Sequence, residues 1–529
     1  MKKNLFIYGL MILSGLALVS CDKFLDVMPD NRAEIDTIKN IQNLLRSAYL
    51  DHDYQLIAEF SSDNVQCLSD DNPYTSRFIE QVYEWKDITE SNNSDVEAIW
   101  SSCYNGIAAA NYALQGIDEL GGPTTDELAA AKGEALVCRA YLHFILVNMF
   151  SLNYNSSTSN TDLGIHYMTE IEHTLHPHYE RGTVAEVYAN IEKDLEEGLP
   201  LIADAFYQVP KYHFNQKAAY AFAARFFLYY EKWDKVIEYA DKVLGTAPKT
   251  MLRDYAALGD MTQTFSAVAH EYINAELNCN LMMMTGYSSL GLCFGPYYTW
   301  AKYASTPYVM NNESANAVQP WGQLSYYSTT KTYPATNLSK TIFWRATYDF
   351  EYTDAVAGIG YYHTVCPAFT ADECLLNRAE AYIMLNEYED ACDDINLWVS
   401  NVARSGYTAI TPESVQSFYA GVGYSNEGDE PLSSTVKKRL HPAFDIGEDG
   451  GVQESMLQAV LTARRIETVP FGLRWFDVKR YGIEICRVTL TAAGMPGEIT
   501  DKLSVDDKRR AIQIPKKVID AGHQANTRY

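Results

Sequence analysis

Two stretches of this chain carry the same small-residue and aromatic pattern in the same register, and that repetition narrows what the chain can fold into. Ala224, Phe227, Trp233, Val236 and Ala240 stand at the same relative offsets as Ala379, Tyr382, Tyr388, Ala391 and Ile395. A small residue on one helix lets an antiparallel neighbour approach closely, so the pattern predicts paired helices. One pair is expected over 215–231 and 233–244, another over 371–386 and 388–403. A further pair is expected over 96–120 and 126–150, broken at Gly121-Gly122-Pro123 with Thr124 or Thr125 as N-cap. A single helix is expected over 183–199, where Thr183 and Glu186 have capping-box spacing.

Small, aromatic, aromatic, small or β-branched, apolar is the tetratricopeptide pattern. The expected fold class is therefore mainly α, with tetratricopeptide-like helix pairs forming a right-handed helical scaffold. The repeats occupy about 96–245 and 371–403, and a C-terminal segment runs from 404 to 529. An insertion over about 246–370 separates them, so no continuous solenoid is expected. That insertion is rich in Tyr, Trp, Gly, Pro, Asn, Ser and Thr, with GPYYTWAKY at 295–303 and QPWGQLSYYSTTKTY at 319–333. It reads as long loops with a few short strands, and loops of this length tend to be functional. A second turn-rich segment spans 421–452.

The N-terminus adds a targeting signal. Lys2 and Lys3 precede an apolar stretch from Leu5 to Val19, short of a membrane span, and Leu18-Val19-Ser20 leads to Cys21. The order resembles a bacterial lipobox. Residues 1–20 would then be a lipoprotein signal peptide, Cys21 the acylated first residue, and 21–33 a lipidated tether ahead of one domain over 34–529. Several acyl chains on one cysteine would hold firmly where a single chain would not.

Charge excludes one class of partner. There are 42 basic and 68 acidic residues, a net charge of −26; loss of residues 1–20, with two lysines and no acid, makes it −28. Such a surface repels phosphate backbones and anionic headgroups, so no nucleic-acid partner is expected. The nine cysteines after Cys21 are scattered, with no metal-ligand spacing, and no disulfide framework or structural zinc is implied.

Several strings resemble one family, the SusD/RagB-type outer-membrane lipoproteins of the Bacteroidetes. CDKFLDVMP at 21–29 is similar to the family's start. GEALVCRAYLHFILVNMF at 133–150 and TVAEVYANIEKDLEEGLPLI at 183–202 resemble two of its helices. FNQKAAYAFAARFFLYYEKW at 214–233 and LLNRAEAYIMLNEYEDA at 375–391 resemble its repeat helices. ARRIETVPFGLRWFDVKRYG at 463–482 and IPKKVIDAGHQANTRY at 514–529 are similar to its later segments, although Pro470-Phe471-Gly472 departs from the usual Glu-Gly. The resemblance implies a surface-exposed lipoprotein of the cell outer membrane that binds oligosaccharides, or in some members peptides, without chemistry. It also implies a SusC-like TonB-dependent transporter as partner.

A sugar presents apolar faces and hydroxyl edges, so its site needs exposed flat aromatics with interspersed amides. Tyr297, Tyr298, Trp300 and Trp321 are the expected aromatic platform. The loop DDNPYTSRF at 70–78 supplies a second group, Asn72, Tyr74 and Arg77. The competing reading for each is packing of a loop onto the helical body. Trp85, Trp100, Trp233, Trp475 and Phe476 are expected in the core, with Arg474 and Asp477 hydrogen-bonded or ion-paired. No cofactor is expected: DIGEDG at 445–450 suggests a calcium loop but lacks an oxygen ligand at its third position, and Met456 stands where glutamate is needed. GxSxG, HExxH, P-loop and Rossmann motifs are absent, which disfavours an enzyme. A carboxylate pair for glycoside hydrolysis is not excluded by sequence. A pure protein-interaction scaffold remains the other alternative.

Overall fold

A computed structural model describes residues 37–172, 179–334, 339–426 and 433–528. Residues 1–36, with the expected signal peptide over 1–20, Cys21 and the expected tether over 21–33, lie outside the described residues. The expected helices form close to their expected bounds. Helices α1 Ile38–Leu45, α2 Gln55–Ser61 and α3 Arg77–Tyr83 lead into α4 Val96–Glu119 and α5 Asp126–Phe150. Then follow α6 Val184–Gly198, α7 Gln216–Tyr229 and α8 Trp233–Leu244. Beyond the insertion come α9 Ala371–Met384, α10 Tyr388–Val402, α11 Pro412–Ala420, α12 Val452–Thr468 and α13 Leu473–Arg480.

Local chemistry sets the helix starts. Thr125 caps α5 through the Leu128 N–H, and Thr183 and Glu186 form the full capping box of α6. The repeat register reappears in the turns. Glu231 and Asn386 occupy equivalent positions between paired helices and adopt φ of 61° and 63°. The next N–H closes the same bond in each, Lys232 to the Phe227 carbonyl at 3.0 Å and Glu387 to that of Tyr382 at 2.8 Å. The α4–α5 turn uses Gly121 and Gly122 instead, with Gly122 N–H on the Ile117 carbonyl.

The pairs α4/α5, α7/α8 and α9/α10 pack as antiparallel hairpins. Although 126 residues separate α8 from α9 in sequence, the two helices lie directly against one another. The insertion therefore loops out and returns, and the repeats that the sequence separates are spatial neighbours. Buried ion pairs tie the layers. Arg139 on α5 forks onto Asp194 on α6 at 2.7 Å through two nitrogens. Arg225 on α7 reaches Glu373 on α9, and Arg378 on α9 forks onto Asp394 on α10.

Among the described residues, four small sheets complete the body. β1 Gln66–Cys67, β3 Tyr303–Ala304, β10 Ile485–Leu490 and β11 Pro496–Leu503 form one in the order β11-β10-β1-β3. β2 Asn280–Tyr287, β7 Asp349–Asp354 and β8 Ile359–Thr370 form another in the order β2-β8-β7. The strands β2 and β8, of 8 and 12 residues, are longer than the short strands expected of the insertion. β4 Ser325–Tyr326 pairs with β9 Ala403–Ser405, and β5 Lys331–Tyr333 with β6 Lys340–Ile342.

The predicted core tryptophans Trp85 and Trp475 are buried with Phe476, and Trp100 and Trp233 are half-buried against the core. Arg474 forks onto Asp63 at 2.8 and 2.9 Å, while Asp477 lies between Arg464 and Arg480. The nine described cysteines are free thiols. Among the described residues no helix is long and apolar enough to cross a membrane.

Candidate functional site

The two segments singled out from sequence meet in space. After β1, the Leu68 N–H donates to the Lys302 carbonyl at 2.7 Å. The chain then turns so that Tyr74 runs beside Ala301: Tyr74 N–H donates to Trp300 O at 3.2 Å, and Lys302 N–H donates to Tyr74 O at 3.1 Å. The Asn72 side chain locks this turn by donating to the Ala301 carbonyl at 2.8 Å, 229 residues away in sequence. Below the turn, Cys67 pairs with Tyr303, and the Tyr83 ring stacks on Tyr303 at 4.2 Å.

The result is an aromatic surface. Tyr74 and Tyr298 stack at 4.9 Å with their planes 12° apart. Tyr74 is 47% exposed, Trp300 38%, and Tyr297 and Tyr298 36% each. Tyr298 holds φ of 48°, a left-handed conformation unusual for a bulky residue. Tyr297 continues the surface by meeting Tyr348 at 4.6 Å and Phe265 at 5.8 Å. Tyr348 meets Tyr362, which faces Phe350 across the β7–β8 pairing.

The platform rests on a close-packed base. Gly291 lies so near the segment leading to β7 that a Cβ there would sit 1.7 Å from the Thr347 carbonyl oxygen. Lys340 is buried beneath and donates to the carbonyls of Cys293 and Tyr297. Burial pulls its amine down to about pKa 8. Interior cavities of about 10, 20 and 30 Å³ have room for water and not for a sugar ring.

Two expected contacts are corrected. Trp321 is not part of the platform: it is fully buried and packs edge-on against Trp398 of α10 at 5.9 Å, pinning the insertion to the repeats. Asn72 is 3% exposed, so its amide positions the loop and does not face solvent. Arg77 is exposed at the start of α3 and lies 3.4 Å from Glu90, toward the rim. Sequence reasoning missed Tyr348, Phe350 and Tyr362. The signal for Phe350 and Tyr362 was the alternation in DFEYTD and IGYYH, two strands about a four-residue turn. In the turn-rich 445–450 segment, Asp445 accepts from the Gly447 N–H and Asp449 ion-pairs with Arg439.

Two family models match the chain: one described as SusD-like, starch-binding associating with outer membrane, over residues 23–228, and one described as SusD family over 293–523. No curated protein is matched. Among solved structures, a putative sugar binding protein from Bacteroides vulgatus is similar at 18% identity and TM-score 0.65, over 94% of this chain and 99% of that one. A SusD superfamily protein from Bacteroides thetaiotaomicron matches at 18% identity and TM-score 0.60, over 93% and 100%. A SusD-like carbohydrate binding protein from Bacteroides vulgatus matches at 16% and 0.60, over 92% and 96%. At these identities the structures speak for the fold.

Proposed function

Because the chain belongs to the SusD/RagB family, we propose that it is a surface lipoprotein that captures an oligosaccharide or polysaccharide and delivers it to a SusC-like TonB-dependent transporter. The observation that carries the reading is the zipped pair of loops presenting Tyr74, Tyr298, Trp300 and Tyr297 to solvent. Flat rings with free edges cover the apolar face of a sugar while neighbouring backbone and hydroxyl groups meet its edges. Relatives of the same fold are named as sugar or carbohydrate binding, and the family description places them at the outer membrane. Cys21 supplies the anchor in this reading, with residues 1–20 removed and 21–33 acting as tether. The protein binds and releases its ligand without turning it over.

Calorimetry of the purified domain against a panel of neutral oligosaccharides and polysaccharides tests the capture step. Binding of at least one neutral oligosaccharide, weakened in a Tyr298→Ala/Trp300→Ala variant, is expected. Binding that survives the double variant unchanged would remove the platform from the reading, and turnover of the bound glycan would make the protein an enzyme. Cys21→Ser should move the protein from the membrane fraction to the soluble fraction.

A further inference from the structure

The charges around the aromatic surface divide unevenly. Asp70 and Asp71 stand in the loop that carries Tyr74, and Glu80 and Glu90 lie beside it. The side chain of Asp70 is 74% exposed. Against these four carboxylates stand two cations, and both are taken. The Lys302 amine lies 3.3 Å from Asp70 and 3.3 Å from Glu80, and Arg77 lies 3.4 Å from Glu90. Two cations against four carboxylates leave this rim at −2.

The other cations on the platform's own segments are also engaged. Lys340 is buried on the carbonyls of Cys293 and Tyr297. Arg345 is buried on those of Ile466, Glu467 and Val469. Lys331 lies over the Trp344 ring at 4.9 Å. Among the described residues, a carboxylate or sulfate on a sugar would meet on these segments only cations that already face an acid, a carbonyl or a ring. It would approach a rim of its own sign.

Resting on the glycan-binding reading above, we propose that this site selects uncharged glycans and rejects uronic-acid-bearing and sulfated ones, with Asp70 and Asp71 as the discriminating residues. Like-charge juxtaposition is a specificity device of the repulsive kind: it adds nothing to the affinity for a neutral ligand and subtracts from that for an anionic one. Because the rim is exposed, salt should screen the effect.

The test compares short neutral oligosaccharides with otherwise matched ones carrying uronic acid or sulfate, by calorimetry on the full domain. At low salt the anionic member of each pair should bind at least about tenfold more weakly, and the gap should close to about twofold near 1 M salt. Asp70→Asn/Asp71→Asn should shrink the low-salt gap several-fold. Asp71→Asn alone, at a position whose described bond is made by its backbone N–H, should shrink it partway and serves if the double variant fails to fold. Equal or tighter binding of the anionic member overturns the selectivity while leaving glycan capture intact. A gap that neither salt nor the Asn variants change also overturns it, because shape would then be the cause. If no glycan of either kind binds, the capture reading falls and the selectivity falls with it. Tight binding of a Lys/Arg-rich peptide alone would reassign the acidic rim to peptide recognition.

Discussion

Trp300 and Trp321 are the same residue type in the same insertion, and they have opposite roles. Trp300 follows a left-handed residue, Tyr298, in a turn held open to solvent, whereas Trp321 is wedged against Trp398. Replacing Trp300 by alanine should weaken glycan binding by about 1–2 kcal/mol, roughly tenfold, with stability changed by no more than about 0.5 kcal/mol. Replacing Trp321 should cost about 3–5 kcal/mol in urea unfolding, because it leaves an indole-sized cavity at the joint between insertion and repeats. The residue types of the site were legible in the sequence, since sugar chemistry demands aromatics and amides. Which aromatics face out was not. Asn72 illustrates the reason: its amide could equally bind a ligand hydroxyl or a carbonyl, and the nearest carbonyl comes from Ala301, 229 residues away.

At the scale of elements, the helix pairs were legible because their signal is local. Period, caps and breakers all lie within one or two turns of the chain, and the structure changes their bounds by one or two residues. The shared left-handed turn offers a test. Glu231 adopts φ of 61° with a side chain that burial raises to about pKa 7, so it carries both backbone and desolvation cost. Glu231→Gly should stabilise the protein by up to about 1 kcal/mol, and Glu231→Val should destabilise it, both read by thermal unfolding. The strand β8 was less legible. Pro367 argues against a central strand, yet β7 pairs only as far as His363, so at Pro367 the strand has β2 alone as neighbour.

At the scale of the whole molecule, residues from the two ends of the chain close the body. Arg487 on β10 donates to the carbonyls of Phe60, Ser61, Ser62, Val65 and Tyr83, and its guanidinium lies 3.9 and 4.2 Å from the ring centres of Tyr83 and Trp85. It holds β1, and hence the loop that bears Tyr74. Arg487→Ala should destabilise by about 3–5 kcal/mol and weaken glycan binding together, because it takes a donor from five buried carbonyls, of which that of Ser61 keeps the Trp85 indole N–H at 2.9 Å. Lys479 on α13 is buried on the carbonyls of Asn148 and Ser151, and burial lowers its amine to about pKa 7. Above that value the folded state holds the amine neutral while the unfolded chain, titrating near 10.4, keeps the proton. Stability from this group is thus lost as pH falls toward 7, at up to about 1.4 kcal/mol per unit. Between about pH 7 and 8, below the range where unfolded thiols ionise, Lys479→Met should flatten the rise of urea-unfolding stability with pH.

What the sequence by itself determined is the set of helix pairs, their repeat register, their caps and the aromatic character of the insertion. Each is written in residues a few positions apart, where backbone geometry and side-chain size act directly. Three matters were decided only by the tertiary structure. The α8–α9 contact makes neighbours of repeats that 126 residues separate in sequence. The Tyr74–Ala301 bridge joins two loops into one surface, and the burial of Trp321 takes one expected ring out of it. These depend on where distant carbonyls and rings come to rest, and an aromatic or an amide satisfies solvent, ligand or core equally well until a particular neighbour arrives.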